Sequence, residues 1–519
     1  MTDNTRDPDS DNLAQATELS TLYKFELDAV CVCLNKDSQD LLPLLGYIHA
    51  NQLPRRRLAG MLKNAASKLD QLRERQTCLA AVKGMEPEYY AQLAELKQVL
   101  DNGENFSLNG VRQALADLCT YCIEQGCKAD TIAPILNAQA LASALVQKFQ
   151  QAAELYEKAA SAPGLDLSSQ WQYQTRRALA LVDLGRDYND NAALEQAVEL
   201  YQTTIADLAP RDQQADYWIQ TQINLGDALG ILGHRHRGTH ILEESIDAYQ
   251  QALAQLDRIE RPRLWATIQN NLGNALGALG QRKGEKELLE KSVTAFELAL
   301  EERSRENTPD DWATSQNNLG AALHSLGQRE EGTRLLSKSV AAYTKVLKVW
   351  TRQNMPLEWS AALNNLGTVL RVLGERQSGQ RSLEKSVAAY KNALAVRTRD
   401  LFPKDWAMTQ NNMGAALQKL AERTEGYQEL EDAVAAYENA LKEWTRDTMP
   451  MGWTMTLANL GVARRTLAER TRDIEIARRA VDDIITVTEV FRDASHAQYR
   501  ELSEEQLTKA RDLVEELGG

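Results

Sequence analysis

The chain has 519 residues, with 73 acidic against 59 basic side chains and a net charge of −14 at neutral pH. Nucleic acids and anionic membranes attract proteins with surplus lysine and arginine, so this balance argues against both as partners. Hydrophobic residues make up 43% of the chain, but no apolar run reaches the roughly 18–20 residues of a membrane helix, and no signal peptide is recognisable. We therefore expect a cytoplasmic protein with a buried core.

The first part of the chain shows no internal repeat. Residues 1–12 are polar and acidic, which predicts a disordered tail. Helical patterns interrupted at Pro54 and at turn residues predict an independent α-helical domain over residues 13–128. Within it, residues 53–75 form a basic amphipathic pattern. A solvated helix face and a docking surface for an acidic partner are both open interpretations of that pattern.

All six cysteines of the chain precede residue 128, which favours a reducing compartment over a disulfide-stapled secreted protein. Cys119, Cys122 and Cys127 have a spacing that suits a metal ion. A structural zinc site needs four ligands, however, and the sequence contains no second C-x-x-C pair. We expect buried free thiols, with no metal and no cofactor; a metal- or redox-responsive site is the alternative.

From residue 171 onward the chain repeats itself every 47 residues. Seven tryptophans mark the period: Trp171, Trp218, Trp265, Trp312, Trp359, Trp406 and Trp453. Glycines recur in step at Gly226, Gly273, Gly320, Gly367, Gly414 and Gly461. We interpret residues 171–495 as seven copies of one unit, residues 129–170 as a divergent earlier unit and residues 496–519 as a capping helix.

Each unit predicts two helices with a turn between them. Thr308 is expected to cap a first helix that starts at Pro309 and stops near Gly327, and a second apolar stripe follows. Both helices are expected to span roughly 16–18 residues. A glycine inside the first helix costs about 1 kcal/mol relative to alanine, so its recurrence predicts that a neighbouring helix approaches closely. We expect that approach at small residues of the second helix: Ala252, Ala299, Ala393 and Ala440.

The two helices resemble the tetratricopeptide repeat, with N-L-G-x-A-L-x-x-L-G in the first and A-x-A-Y-x-x-A-L in the second. Residues 274–277 and 295–300 illustrate the two signatures. The usual unit has about 34 residues, so this one is long. The resemblance implies an all-α fold, a right-handed α-solenoid of tetratricopeptide-like hairpins preceded by a small helical N-terminal domain. Arrays with such long units resemble bacterial proteins that are often fused to signalling or effector domains.

In six of the seven first helices, an asparagine immediately precedes a Leu-Gly or Met-Gly pair. The six are Asn224, Asn271, Asn318, Asn365, Asn412 and Asn459. In tetratricopeptide domains the first helix lines the concave groove, so the resemblance implies that these amides contact the backbone or a carboxylate of a partner. The alternative is structural, because a buried amide must be hydrogen-bonded and can bridge neighbouring repeats.

Two ladders of arginines also follow the period. One lies near the end of the second helix: Arg211, Arg258, Arg305, Arg352, Arg399 and Arg446. The other lies just past the first helix: Arg235, Arg282, Arg329, Arg376, Arg423 and Arg470. We expect both to cover helix C-terminal carbonyls and to form ion pairs between units, with a track for an anionic partner as the alternative. The tryptophans are expected to anchor the core.

The sequence gives no support for catalysis. It contains no P-loop, no G-x-S-x-G, no H-E-x-x-H and no strand-linked G-x-G-x-x-G. We therefore predict a non-enzymatic scaffold or adaptor that binds a protein or peptide in the groove of the superhelix. The alternative is a sensor or regulatory component of a bacterial signalling or defence system, in which residues 13–128 associate with each other.

Overall fold

The structure is a computed structural model that describes residues 41, 65–69, 71, 108–124, 127–209, 214–493 and 497–519. The elements in these ranges are 19 α-helices, with no β-strand among them. None of these helices is long and apolar enough to cross a membrane. The expected tail over residues 1–12 and most of the expected N-terminal domain lie outside the described residues.

The chain divides into two compact units, Met1–Arg303 and Ser304–Gly519. The helices of the first unit are α1 Leu108–Glu124, α2 Ala129–Leu145, α3 Phe149–Ala160, α4 Leu167–Tyr188, α5 Asn191–Gln202, α6 Thr204–Leu208, α7 Ala215–Arg235, α8 His240–Gln255, α9 Pro262–Lys283 and α10 Lys286–Glu302. Those of the second are α11 Pro309–Gln328, α12 Arg334–Val346, α13 Pro356–Arg376, α14 Arg381–Leu394, α15 Pro403–Ala421, α16 Gln428–Leu441, α17 Pro450–Thr471, α18 Ile474–Asp493 and α19 Ala497–Glu516.

Successive helices pack as hairpins, and each hairpin packs on the next within its unit. The second helices α8, α12, α14 and α16 each contact both their own first helix and the first helix that follows. Apolar side chains from three successive helices, such as Ile219, Tyr249 and Ile268, form one continuous core cluster. A hairpin with one apolar stripe per helix is therefore covered only by its neighbours, and the predicted solenoid of helical hairpins is confirmed.

The helix ends agree with the sequence in part. Five first helices, α9, α11, α13, α15 and α17, begin at proline, where the missing N–H leaves no bond unmade. Thr308 holds the N-cap position of α11, but its side chain makes no capping bond, so that expectation is wrong. Its hydroxyl donates instead to the Ser304 carbonyl at 3.3 Å. The first helices are also longer than expected, with 22 residues in α9 and 20 in α11.

In five first helices the recurring glycine faces an aromatic ring of the second helix, whereas Gly461 faces Ile484, whose Cγ1 would lie 2.7 Å from an added Cβ. A Cβ added at Gly226 would lie 2.7 Å from Tyr249 Cε1, and one at Gly320 would lie 2.9 Å from Tyr343. Gly273, Gly367 and Gly414 meet Phe296, Tyr390 and Tyr437 in the same way. The close approach is as expected, but the residue responsible is the aromatic one. The expected alanines are fully buried three residues further along the same helices.

In four hairpins, a buried serine of the second helix forms a hydrogen bond to the backbone of the recurring glycine in the first helix. The hydroxyls of Ser245, Ser292, Ser339 and Ser386 donate to the carbonyl oxygens of Gly226, Gly273, Gly320 and Gly367 at 2.8, 2.7, 2.6 and 2.6 Å. All four serines are fully buried. Sequence reasoning missed this ladder, because serine in a helix also has an ordinary surface role.

The tryptophans that mark the repeat are buried or half-buried. Trp171 is buried and donates from Nε1 to the Thr221 hydroxyl at 3.0 Å. Trp218 and Trp265 pack against the core cluster of the first unit, and Trp312, Trp359 and Trp453 pack against clusters of the second. Their expected role as core anchors therefore agrees with the structure.

Candidate partner-binding groove

The six asparagines lie in the middle of the first helices α7, α9, α11, α13, α15 and α17. Asn224 is buried, with 8% of its surface exposed, and the other five are half-buried. They are therefore neither sealed in the core nor on an open helix face. Consecutive first helices contact each other within each unit, α7 with α9 and α13 with α15 among them, so the amides of neighbouring repeats lie along one face.

Several of these amides bond to the protein itself. Asn271 Nδ2 donates to Asp227 Oδ1 of the preceding first helix at 2.9 Å, and Asn412 Nδ2 approaches Asn364 Oδ1 at 3.4 Å. Asn224 Oδ1 accepts from Gln220 in its own helix at 3.0 Å. Links between repeats are therefore part of their role. A carboxamide offers two donors and a carbonyl oxygen with two lone pairs, so one such bond leaves further capacity.

A cleft of about 360 Å³ opens where α4, α7 and α9 meet. Its amide lining comes from Asn224, Asn271 and Asn274, two of which belong to the ladder. Asn274 is exposed. Apolar side chains such as Leu179 and Ile231 complete the walls. The cleft thus combines apolar surface with a few convergent polar groups, as small binding sites in proteins commonly do.

The ionisable groups of the cleft are Asp183, Arg186, Asp227 and His234. Asp183 is paired with Lys68 and with Arg186, each at 2.5 Å. Burial raises the pKa of Asp227, against the hydrogen bonds from Tyr249 and Asn271, which lower it. Burial and the nearby Arg282 guanidinium lower the pKa of His234. The cleft therefore holds one acid with ion-pair partners, a second acid whose described hydrogen-bond partners are neutral, and an imidazole that is neutral at pH 7.

Lys68 connects the N-terminal part of the chain to this cleft. Its ammonium group lies 2.5 Å from Asp183 Oδ2 and 4.9 Å from the centre of the Phe149 ring. The neighbouring Ala65, Ala66 and Leu69 are buried. The described residues of the basic segment 53–75 are therefore not wholly solvated. Three of them are buried, and Lys68 is bound to an acid of the same chain.

In the second unit, the positions equivalent to Gly230 and Gly277 are not glycine. They are His324, Arg371, Gln418 and Arg465. Burial, with the charges of Arg371 and Arg376, lowers the pKa of His324 to about 4. Its Nε2 is buried without a hydrogen-bond partner. At this register the second unit therefore carries two arginines, whereas the first unit carries glycines.

Five of the six arginines past the first helices bind backbone carbonyls of the preceding hairpin, whereas Arg329 donates to the Ser325 carbonyl of its own helix at 3.3 Å. Arg376 Nη1 donates to the carbonyls of Gly327 and Gly332, both at 2.8 Å. Arg423 reaches Gly374 and Gly379 at 2.7 and 2.6 Å, and Arg282, Arg470 and Arg235 bond in the same way to hairpins before their own. These guanidinium groups are held by the fold, as the carbonyl-covering interpretation predicts.

The other arginine ladder is divided between ion pairs and carbonyls. Arg258 pairs with Glu301 at 2.6 Å and lies over the Trp265 ring at 4.3 Å, and Arg399 pairs with Glu443 at 2.6 Å. Arg305 and Arg352 bond instead to carbonyl oxygens one hairpin further on, Lys348 and Ala395. Ion pairing between successive repeats is confirmed for Arg258 and Arg399. Arg211 lies outside the described residues.

The three cysteines near the start of the described chain are free thiols. Cys119 and Cys122 are buried and Cys127 is half-buried. Burial, followed by the neighbouring Cys127 and Cys119, raises the pKa of Cys122 to about 12. A metal ligand must be a thiolate, which this environment disfavours. In the described ranges no three or more His, Cys, Asp or Glu side chains form a group suited to a metal ion.

Comparison with known proteins identifies the repeat. Residues 265–307 and 312–349 match the tetratricopeptide repeat family, so the chain carries tetratricopeptide repeats. The C-terminal part of a repeat protein from Cytophaga hutchinsonii is 14% identical over 62% of this chain and 96% of that one, with a TM-score of 0.37. No curated protein matches the chain.

Two further solved structures are similar at the level of the repeat. A Rap protein complexed with competence and sporulation factor is 13% identical over 74% of this chain and 99% of that one, with a TM-score of 0.40. The TPR2AB domain of yeast Sti1, in a complex with pHSP90, is 17% identical over 64% and 99%, with a TM-score of 0.22.

Proposed function

We propose that this array of tetratricopeptide repeats is a non-enzymatic scaffold that binds a polypeptide along the face formed by consecutive first helices. The observation that carries the proposal is the cleft of about 360 Å³ between α4, α7 and α9, which Asn224 and Asn271 of the asparagine ladder line. The ladder repeats at the same depth of every later first helix, so equivalent amides follow one another along each unit.

An extended peptide suits such a row of amides. Its backbone presents hydrogen-bond donors and acceptors in alternation, and a carboxamide can form a hydrogen bond with either one. The asparagines sit on helices packed on both sides, so little conformational entropy is lost when they bind, which favours affinity. Asn318, Asn365, Asn412 and Asn459 are half-buried in the second unit, where the same argument applies.

The proposal is non-enzymatic because, in the described part of the chain, no histidine side chain is hydrogen-bonded to a serine, threonine or cysteine, the pairing that nucleophilic catalysis by these residues needs. A general base must lie within hydrogen-bond reach of the proton it takes. His236 and His324 each keep a buried ring nitrogen without a hydrogen-bond partner, and the pKa of His324 is lowered to about 4. Neither imidazole is placed to activate a serine, threonine or cysteine.

The test uses the full chain with a random library of seven-residue peptides and sequencing of those retained. One variant combines Asn318→Ala, Asn365→Ala and Asn412→Ala. Its matched control combines Asn307→Ala, Asn392→Ala and Asn439→Ala, which remove the same groups from the same unit outside the first helices.

We expect the ladder variant to keep the helical circular dichroism of the wild type and to bind the retained peptides at least tenfold more weakly. The control should bind them as the wild type does. A folded ladder variant with an unchanged peptide set would refute the assignment of these asparagines, and a wild type that retains no peptide would refute the groove.

A further inference from the structure

The cleft between α4, α7 and α9 contains an acid, Asp227, for which the described residues provide no cationic partner. Asp227 accepts hydrogen bonds from the Tyr249 hydroxyl at 2.6 Å and from Asn271 Nδ2 at 2.9 Å. Both bonds end on Oδ1, and both donors are neutral. Within the described ranges no residue donates to Oδ2, and Asp227 lines the cleft. A carboxylate in such a half-buried place is costly unless a cation joins it.

The neighbouring acid of the cleft, in contrast, has cationic partners within the chain. Asp183 lines the same cleft and has Lys68 and Arg186 as ion-pair partners. Arg186 also pairs with the buried Asp187 at 3.1 Å. These two cations are thus already shared among acids other than Asp227. Among the described residues, Asp227 is therefore the one acid of the cleft without a cationic partner.

The carboxylate at residue 227 is not needed to build a hairpin. The same register in the later repeats holds Asn274, Ala321, Thr368, Ala415 and Val462, none of them acidic. Tyr390 finds a neutral partner there, because its hydroxyl lies 3.0 Å from the Thr368 hydroxyl. Packing of the tyrosine therefore does not explain the acid at residue 227.

We propose that this cleft binds the side chain of an arginine carried by the polypeptide partner. A guanidinium group is planar, always charged and offers five N–H donors. Asp227 Oδ2 supplies the charge, and the amide oxygens of Asn224 and Asn274 supply further acceptors on two different helices. The chain's net charge of −14 attracts a basic partner over a longer range. Lysine, a point charge with three donors, satisfies fewer of these acceptors.

This inference rests on the proposed function of the groove, and the experiment separates the two. The immobilised full chain retains peptides from the random seven-residue library, and the arginine frequency in the retained pool is compared with that in the input. The test variant is Asp227→Asn, which removes the charge and keeps an oxygen for Tyr249. The matched control is Asp247→Asn, on the exposed face of α8 in the same hairpin.

We expect arginine to be enriched over lysine by the wild type and by Asp247→Asn, and the enrichment to fall at least tenfold in Asp227→Asn. A retained peptide and its Arg→Gln version should differ at least tenfold in Kd on the wild type, about 1.4 kcal/mol, and less than threefold on the variant. A second variant, Asn274→Arg, changes an exposed residue, fills the cleft with a guanidinium group and should abolish the preference even if Asp227→Asn does not fold.

Two results would overturn the inference while leaving the groove in place. One is a wild type that retains peptides without a preference for arginine. The other is a folded Asp227→Asn or Asn274→Arg protein that keeps the full preference. Failure of the wild type to retain any peptide would instead overturn the proposed function, and this inference with it.

Discussion

Gly226 and Gly230 lie four residues apart in α7, and the packing predicts opposite effects for the same substitution at the two positions. In the interior of a helix, alanine is more favourable than glycine by about 0.8–1 kcal/mol. At Gly230 the added Cβ would meet the Ser245 hydroxyl at 3.4 Å, an ordinary contact. Gly230→Ala should therefore stabilise the hairpin by about 0.5–1 kcal/mol.

At Gly226 the same methyl group has no room. Its Cβ would lie 2.7 Å from Tyr249 Cε1 and 2.8 Å from Cδ1. Tyr249 is buried and its hydroxyl is held by Asp227, so the ring cannot simply swing away. Overpacking a core costs about 1–3 kcal/mol, which exceeds the gain in helix propensity. Gly226→Ala should therefore destabilise the hairpin by about 0.5–2 kcal/mol.

Hydrogen exchange measured by mass spectrometry is the suitable assay, because repeat arrays open locally and do not always unfold in one step. The free energy of opening is taken from the peptides that cover α7 and α8. The two variants should move it in opposite directions relative to the wild type. Equal stabilisation by both substitutions would refute the ring-on-glycine packing on which the hairpin is built.

Three further outcomes follow from the described contacts. Ser339→Ala removes the buried hydrogen bond to the Gly320 carbonyl and should lower the free energy of urea unfolding by about 0.5–1.5 kcal/mol. Ser337→Ala, at an exposed position, should leave it almost unchanged, and an equal loss in both variants would contradict the role of the serine ladder. Arg376→Gln leaves carbonyls of the preceding hairpin uncovered and should speed hydrogen exchange there by at least fivefold, with unchanged exchange as the opposing result. His324, whose folded pKa of about 4 lies below the usual value near 6.5, should confer stability that is complete above pH 6.5 and is lost by up to about 3 kcal/mol as the pH falls towards 4. His324→Gln should flatten that dependence, and an equally steep loss in the variant would exclude this imidazole as its cause.

The fold could be read from the sequence because a repeat shows the same evidence many times. The proline that opens five first helices and the glycine inside each one are local signals that need no tertiary information. The partner of the glycine could not be read in the same way. Tyr249 and Ala252 share one buried stripe of α8, and the register of the hairpin, which brings Tyr249 over Gly226 and Leu242 over Gly233, decides between them.

The groove was predictable only as far as it is periodic. The asparagine ladder stands in the middle of the first helices, as its spacing predicts. Its bonds to neighbouring repeats depend on offsets of a few ångströms, so Asn271 reaches Asp227 while Asn224 bonds within its own helix. Asp227 itself was missed because it occurs in one copy. A comparison of the repeats position by position would have marked it, since an acid that departs from its equivalents has no shared packing role.

Hydrogen exchange of the full chain with and without one retained peptide tests the central claim most directly. If the groove binds the peptide, protection should increase in first helices such as α7 and α9, and in the second helices only where they line the cleft, near Ser245 and Tyr249. Protection confined to the outer faces of the second helices, or to the loops between hairpins, would contradict the account.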